Sequence, residues 1–540
     1  AAVLAAVMVA SMFTGCGSDN GSSSAKSASA ASAASAANDT VDEDGKVNGI
    51  MYQEGLPLVD EGDYTFSIFC DDSSESGEFI MLDEFKKQTN VDVDLKIYPY
   101  ETATERLNLD LNSGDYADVI GGWTLSDNAI LTYGVNQGVF IPLEDYFEKY
   151  CPNISAILDL PGVREKMTAP DGHIYTIPYV CTDTTVGYSP YINTKWLENV
   201  GMSMPTTTDE FEAVLKAFKE QDANGNGDAS DEIPFSTDPN NKHIEAMAGY
   251  FGLPMNKLGI AIQNEKVVYG GVSDTYREFL SWFHKLYAEG LVDVELYTQD
   301  SSTWEGKGNQ DLYGVSIAYG SNEFTGIPAA EERGDFDSMP VLNTDKDGIW
   351  LRDTEGFSVY RTQAVITNKA EHPEIICRWF DNAFALENGI GCNRGPVGVI
   401  VNKEDDGYHA IDTTTLSEED QEKYSWGNLW PQSLPKYLPV DFEFVEEHPM
   451  YDEKKATEEA YEANLTKEII PSYWIDLDKI DTFSDTNTAI KDFFEQQQAQ
   501  FVCGELDIDN DADWQAYVDG MYSLGLEDWV ATQGIEEIAK

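Results

Sequence analysis

A chain of 540 residues is too long for one compact core and implies at least two lobes or domains. Its hydrophobic fraction of 42% and aromatic fraction of 12% are those of a globular protein rather than a disordered one. With 97 acidic against 34 basic residues the net charge is −63, which repels phosphate backbones and anionic lipid surfaces, argues against nucleic acid as a partner, and favours a neutral or cationic ligand.

The first residues, "AAVLAAVMVASMFTGC", form an apolar run that is too short to span a bilayer. They read as the hydrophobic region of a secretory signal whose initial Met and basic segment are missing from this chain. "FTGC" resembles the bacterial lipobox, with Cys16 as the lipidation site; Phe13 stands where an aliphatic residue is usual, and an ordinary signal with a chance Cys is the alternative. Residues 17–47 are rich in Ser, Ala and Gly and read as a flexible stalk, so folded sequence is expected from about Val47 or Asn48.

Beyond the stalk, "YTFSIFC" predicts a strand, "FIMLDEFKKQTNV" a helix and "VDVDLKIYPY" a second strand. "TERLNLDLNSGDYADVIGGW" then predicts a helix and a short strand. This β-α-β-α-β rhythm argues for an α/β lobe with a mostly parallel sheet, in which ligands bind at the carboxyl ends of strands. Cys70–Asp72, Tyr98, Tyr100 and Gly121–Trp123 fall there. A second region begins near Tyr179, with a strand and short helix in "YSPYINTKWLENVG". Next, "PTTTDEFEAVLKAFKEQ" carries capping signals and an apolar face of Phe211, Val214, Leu215 and Phe218. "TYREFLSWFHKLYAEGLVD" predicts another amphipathic helix, "GVSIAYG" a buried strand, and "TQAVITNKAEHPEIICRWFDNAFA" a strand, turn and helix. The last third is aromatic and helical. Six cysteines besides Cys16 (Cys70, Cys151, Cys181, Cys377, Cys392 and Cys503) are scattered without a CxxC pair, so they read as buried thiols or as disulfides of undefined connectivity.

Several segments in order carry a family resemblance: the lipobox at Cys16, "LNSGDYADVIGGW", "YTIPYV" followed by "YINTKWLENVGMSMPTTTDEFEAVLKAF", "DANGNGDASDEIP", "LYAEGLVD", "VITNKAEHPEIICRWFDNAF" and "GELDIDNDADWQAYVDGM". The chain resembles extracellular solute-binding proteins of carbohydrate ABC transporters, in their long lipoprotein form. The resemblance implies a two-lobed, type II periplasmic-binding-protein-like α/β fold with a multi-strand hinge. Lobe 1 is expected from 48–180 plus about 360–405, and lobe 2 from about 181–359 plus about 406–540. The resemblance also implies a monomer, anchored by a palmitate-type lipid to the outer face of a bacterial cell membrane, with a Gram-positive cell as the expectation. It would capture an oligosaccharide in the cleft and deliver it to ABC permease subunits.

"DANGNGDASDEIP" is half of a calcium motif. Ca²⁺ wants six to eight oxygens in a loop bent by Gly. Asp222, Asn224 and Asn226 fill EF-hand positions 1, 3 and 5, Gly227 the turn, and Asp228 offers its carbonyl at 7. Position 12 is Ile233, and the acids come early, at Asp231 and Glu232; the loop resembles that of alginate- and oligosaccharide-binding family members ending in "DEIP", with one extra residue before the acid pair here. Ser230 is a further possible ligand. With a strand following and no second hand, the loop reads as a structural Ca²⁺ site. "LDIDNDADW" (Asp507, Asp509, Asp511, Asp513) reads as the capped start of a helix, with a metal site as the alternative.

A sugar site needs aromatic platforms for C–H faces and polar groups for hydroxyls. Trp123, behind two glycines at a strand end, is the leading candidate. Trp304, Trp350, Trp426 and Trp430 are further platforms; Arg394 in a Gly-rich loop and Asp71 and Asp72 are candidate polar partners, the acids alternatively capping the next helix. Catalytic motifs (GxSxG, HExxH, P-loop, GxGxxG after a strand) are absent and the six His are dispersed, so no enzyme is expected. A peptide-binding transport lipoprotein, a secreted glycoside hydrolase and a surface lectin are the alternatives.

Overall fold

The computed structural model describes residues 39–72, 78–239, 243–326, 334–411, 413–439, 442, 444–445 and 449–539. Cys16, the signal segment and the stalk up to residue 38 lie outside them.

The first lobe is built on a four-stranded sheet in the order Ala364–Ile366, Val119–Gly121, Tyr64–Asp71, Val91–Tyr98. The last three run parallel; Tyr64–Asp71 pairs with Val91–Tyr98 from Tyr64↔Val91 to Asp71↔Tyr98. The returning strand Ala364–Ile366 closes one edge antiparallel. Alternation along Tyr64–Asp71 sends Phe66, Ile68 and Cys70 to one face and Phe69 to the other, so the sheet carries a core on each side. Helix Ile80–Thr89 covers the first face with Met81 and Phe85 and stops at Asn90 in left-handed conformation. Phe85 packs against Trp379 of helix Pro373–Ala383 and against Trp430.

The second lobe holds a sheet in the order Phe336–Ser338, Ser189–Asn193, Tyr313–Ala318, Ile233–Thr237. This sheet is mixed: Tyr313–Ala318 is parallel to Ile233–Thr237, while the other neighbours are antiparallel. Helix Thr208–Glu220, capped by the Thr207 hydroxyl, buries the predicted face of Phe211, Val214, Leu215 and Phe218. Helix Asp274–Ala288, capped by Ser273, buries Tyr276, Phe279, Leu280, Phe283 and Leu286. Each such side chain contributes about 1.5–3 kcal/mol relative to exposure to water. Helix Ile480–Cys503 packs across Asp274–Ala288.

Two antiparallel strands, Tyr179–Thr182 and Phe357–Tyr360, carry the chain between the lobes, with Tyr179 opposite Tyr360. A further passage runs near residues 470–483, where Ile475 and Ile480 enter the first-lobe core beside Phe69 and Ile120. The Arg361 guanidinium ties this passage down: it pairs with Asp127, donates to the Tyr473 carbonyl at 2.8 Å and lies 4.2 Å from the Trp474 ring. One segment departs from the expected boundary near residue 406. Trp430 and Leu434 pack into the first lobe, Trp430 stacked on Trp379 at 5.7 Å, because Phe85 and Trp379 leave an aromatic slot that only a returning chain can fill. The six described cysteines are free thiols; four are buried, Cys181 is half-buried and Cys503 is exposed.

Candidate functional site

The carboxyl ends of the first-lobe strands place Asp71, Asp72 and Trp123 together. Asp71 is fully buried, and its two carboxylate oxygens accept the Trp123 and Thr124 backbone N–H groups at 2.9 and 2.6 Å. Gly122 has φ 134°, and a Cβ there would sit 2.3 Å from Asp71 Oδ1, so the turn requires glycine. Burial pushes the Asp71 carboxyl upward against these hydrogen bonds. Asp72 is also buried and accepts the Gln432 N–H at 2.7 Å, and the Gln432 side chain in turn donates to the Trp426 carbonyl. Neither acid caps the next helix, whose N-cap is Phe79 without a side-chain cap bond. Asp71 positions Trp123 and Asp72 positions the Trp426 turn, because the end of a parallel strand leaves backbone N–H groups of neighbouring loops to be satisfied.

The two tryptophans so held are the exposed ones: Trp123 is 46% and Trp426 53% accessible. Trp304, Trp350 and Trp430 are corrected from platforms to core residues. Trp304 lies in helix Ser301–Asn309 and donates its indole N–H to Ser316 Oγ. Trp350 packs between Tyr250 and Tyr461, and Trp430 against Trp379 and Phe85. Their ring faces are covered by protein, leaving no room for a sugar. Arg394 ends helix Leu386–Arg394, half-buried, with its guanidinium 5.8 Å from the Phe444 ring. Tyr100 opens helix Tyr100–Ser113 and is exposed at the same sheet edge as Trp123.

From Trp123 a continuous chain of contacts crosses the hinge. Its ring meets Tyr360 edge-on at 5.2 Å, and Tyr360 stacks on Tyr179 at 5.4 Å, so both hinge strands support the platform. Tyr360 and Ser358 donate to one Asp183 carboxylate oxygen at 3.2 and 2.6 Å, and the Tyr319 hydroxyl donates to the other at 3.2 Å. Tyr319 directly follows the second-lobe strand Tyr313–Ala318, and its ring meets Tyr188, which precedes Ser189–Asn193, at 6.0 Å. Tyr188 stacks on His243 at 4.0 Å. Because Ser189–Asn193 runs antiparallel to its neighbour, its amino end and the carboxyl ends of the other strands share one edge. Burial holds the His243 imidazole down at about 3, so it is a neutral ring at ordinary pH. The Lys454 ammonium lies 3.8 Å from the Tyr319 ring and donates to the Gly187 carbonyl at 2.8 Å; burial lowers it to about 8.

Sequence patterning does not single out Asp183, Tyr360, His243 or Lys454. Tyr319 follows a strand and is legible by the carboxyl-end rule already applied to Trp123, whereas Tyr188 reaches the same edge only because its strand runs antiparallel to its neighbour. Asp183 and Tyr360 require the pairing of two strands far apart in sequence, and Lys454 sits in helix Pro449–Tyr461 with no local signal. A separate cavity of about 370 Å³ at the hinge is lined by Asp127, Asn128, Leu258, Arg352, Tyr473 and Phe483, among others, and contains neither exposed tryptophan.

The acidic loop 222–232 follows helix Thr208–Glu220 and precedes strand Ile233–Thr237. The Asn224 and Asn226 side chains reach the two Asp231 oxygens at 3.2 and 2.8 Å, and Asp222 Oδ2 accepts the Gly227 N–H at 3.0 Å. Glu232 Oε1 accepts the Ala223 N–H at 2.9 Å. Asp222 Oδ1 and Glu232 Oε2 are buried without a hydrogen-bond partner, and burial raises the Glu232 carboxyl. Two orphaned carboxylate oxygens among Asn and Asp donors fit a hard divalent cation. Ser230 donates its hydroxyl and its backbone N–H to Asp228 Oδ1. In the 507–513 stretch, Asn510 caps helix Asp511–Ser523, and Arg277 pairs with Asp511 at 2.8 Å, as the capping expectation requires.

Streptococcus pneumoniae FusA, a fructooligosaccharide ABC transporter substrate-binding protein, is 33% identical over 335 residues, 60% of this chain and 61% of FusA. The structure of FusA with kestose covers 87% of this chain and 98% of its own at 26% identity and a TM-score of 0.77. Lipoprotein LipO of Bacillus subtilis is 28% identical over 280 residues, 50% of this chain and 52% of LipO. The alginate-binding protein AlgQ2, solved without calcium ion, shares the fold at 23% identity and a TM-score of 0.72, over 89% of this chain and 99% of its own. In sequence the chain thus spans 61% and 52% of the lengths of FusA and LipO. The profile of the bacterial extracellular solute-binding proteins matches residues 72–389, more than half of the chain, and the chain belongs to that two-lobed family.

Proposed function

We propose that this protein captures an oligosaccharide between its lobes and delivers it to the permease of an ABC importer. The observation that carries this reading is the unbroken set of contacts Trp123–Tyr360–Asp183–Tyr319–Tyr188–His243, which joins both lobes through the hinge strands. The exposed Trp123 ring suits a sugar C–H surface, and the carboxylate and phenol groups beyond it suit hydroxyls. A sugar that touches both lobes binds the closed arrangement better than the open one, and shifts the population by that difference. The ligand of FusA supports an oligosaccharide rather than a peptide, and the lipoprotein relative supports attachment through Cys16 to the outer face of the cell membrane. No residue of this chain is assigned a catalytic role. Titration calorimetry against a panel of trisaccharides tests the reading; absence of binding by any sugar refutes it.

Calcium is the proposed resident ion of the 222–232 loop. Asp222, Asn224, Asn226, Asp231 and Glu232 would hold it, with the Asp228 carbonyl as a further donor. Bound there, the ion neutralises the buried carboxylates and ties the end of one helix to the start of the next strand.

A further inference from the structure

The charge around the inter-lobe site limits what kind of sugar fits. On the second lobe, the Lys454 ammonium faces four carboxylates: Glu323, Glu453, Asp183 and Asp353. It is already engaged by the Gly187 carbonyl and the Tyr319 ring. Glu458 accepts from the Thr185 N–H and hydroxyl on the hinge itself, at 2.6 and 3.1 Å. Among the described residues the other basic groups are Lys257 near His243 on this lobe, Lys436 and Arg394 on the first lobe, and at the hinge Arg361, paired with Asp127, and Arg352, paired with Glu462. Lys436 is buried, donates to Gln432 and lies 5.3 Å from the Trp426 ring, so it braces that tryptophan from within.

We infer that this site takes uncharged sugar units and excludes uronic acids and sulfated sugars. This rests on the oligosaccharide reading above and narrows it. A hydroxyl donates to a carboxylate, so a wall of Asp and Glu is a good partner for a neutral polyol. A sugar carboxylate can only accept, and here it would meet the Asp183 and Glu453 carboxylates, with Glu323 raised by burial to about 7 and Asp353 to about 6, in a partly desolvated space where the single nearby ammonium is outnumbered. The overall charge of −63 adds a long-range penalty to the approach of any anion.

The test is calorimetry on the purified full chain at pH 7 and 0.15 M salt, with kestose, raffinose, maltotriose, cellotriose and xylotriose against trigalacturonate and trimannuronate. The tightest neutral trisaccharide is expected to bind at least about 100-fold more tightly than either uronate trimer, since two like charges at close range suffice for that ratio. The ratio should narrow in 0.5 M salt, and by at least tenfold in the double variant Glu323→Gln, Glu453→Gln, whether or not that variant binds more weakly overall. A uronate trimer binding within tenfold of the best neutral one overturns the inference and leaves the oligosaccharide reading standing. No binding by any sugar overturns both.

Discussion

The Trp123→Ala substitution isolates the platform. Trp123 leaves 46% of its surface in solvent, which for a large aromatic side chain is about 115 Å². If a sugar face covers half to all of that area, the contact contributes about 1.5–3 kcal/mol at ~25 cal/mol per Å². Affinity should then fall about 10- to 100-fold, each factor of ten being about 1.4 kcal/mol. Folding should change little, because the Trp123 N–H bond to Asp71 is made by backbone and survives the substitution. The assay is calorimetric titration of wild type and variant with the tightest sugar, with melting temperature as the control. An unchanged affinity in a variant that melts normally refutes the placement of the site on this face.

Trp350→Ala should behave in the opposite way: it empties a fully buried site between Tyr250 and Tyr461 and should cost about 3–5 kcal/mol of stability, read by chemical denaturation, with sugar affinity of the remaining folded protein preserved. Excess EGTA should lower the melting temperature. An ion present at 100 times its dissociation constant contributes about 2.7 kcal/mol, worth about 5–10 °C for a lobe of this size, and the order of sugar preference should stay the same. A melting temperature indifferent to EGTA argues against the calcium loop. Asp381, buried and accepting the Ile154 N–H at 2.8 Å, is raised from 3.8 to about 6, chiefly by burial. The folded protein therefore holds a proton there more tightly than the unfolded chain, and this contribution is complete below pH 4 and lost as pH rises through about 6. Asp381→Asn keeps an acceptor for Ile154 and should flatten stability between pH 4 and 6; an unaltered pH profile counts against the shift.

What lay open in the sequence was what depends on neighbours in the chain. Helix Thr208–Glu220 shows its face through 3.6-residue spacing, and Thr207 marks its start. The 222–232 loop shows its oxygen donors and glycines in order. Even Trp123 was readable, because two glycines after a strand open space at a sheet's carboxyl end. The choice among tryptophans was not, since Trp304, Trp350 and Trp430 carry the same local polarity as the exposed ones and differ only in what the rest of the chain lays over them. The acids at 71 and 72 face the same limit: a carboxylate at a strand end can meet ligand or backbone, and the distant Gln432 and the turn at Gly122 decide it.

The sequence by itself determined the two-lobed organisation and the family, carried by short-range pattern and by motifs in fixed order, and it nominated the 222–232 loop and Trp123 for the proposals made above. Only the tertiary structure decided the site that joins the lobes. Asp183, Tyr360, Tyr319 and Lys454 come from four separate segments, and they meet because strands Tyr179–Thr182 and Phe357–Tyr360 pair across the hinge. A charge or a ring acts on what lies within a few ångströms, and that distance is set by the packing of whole lobes, which no local spacing encodes.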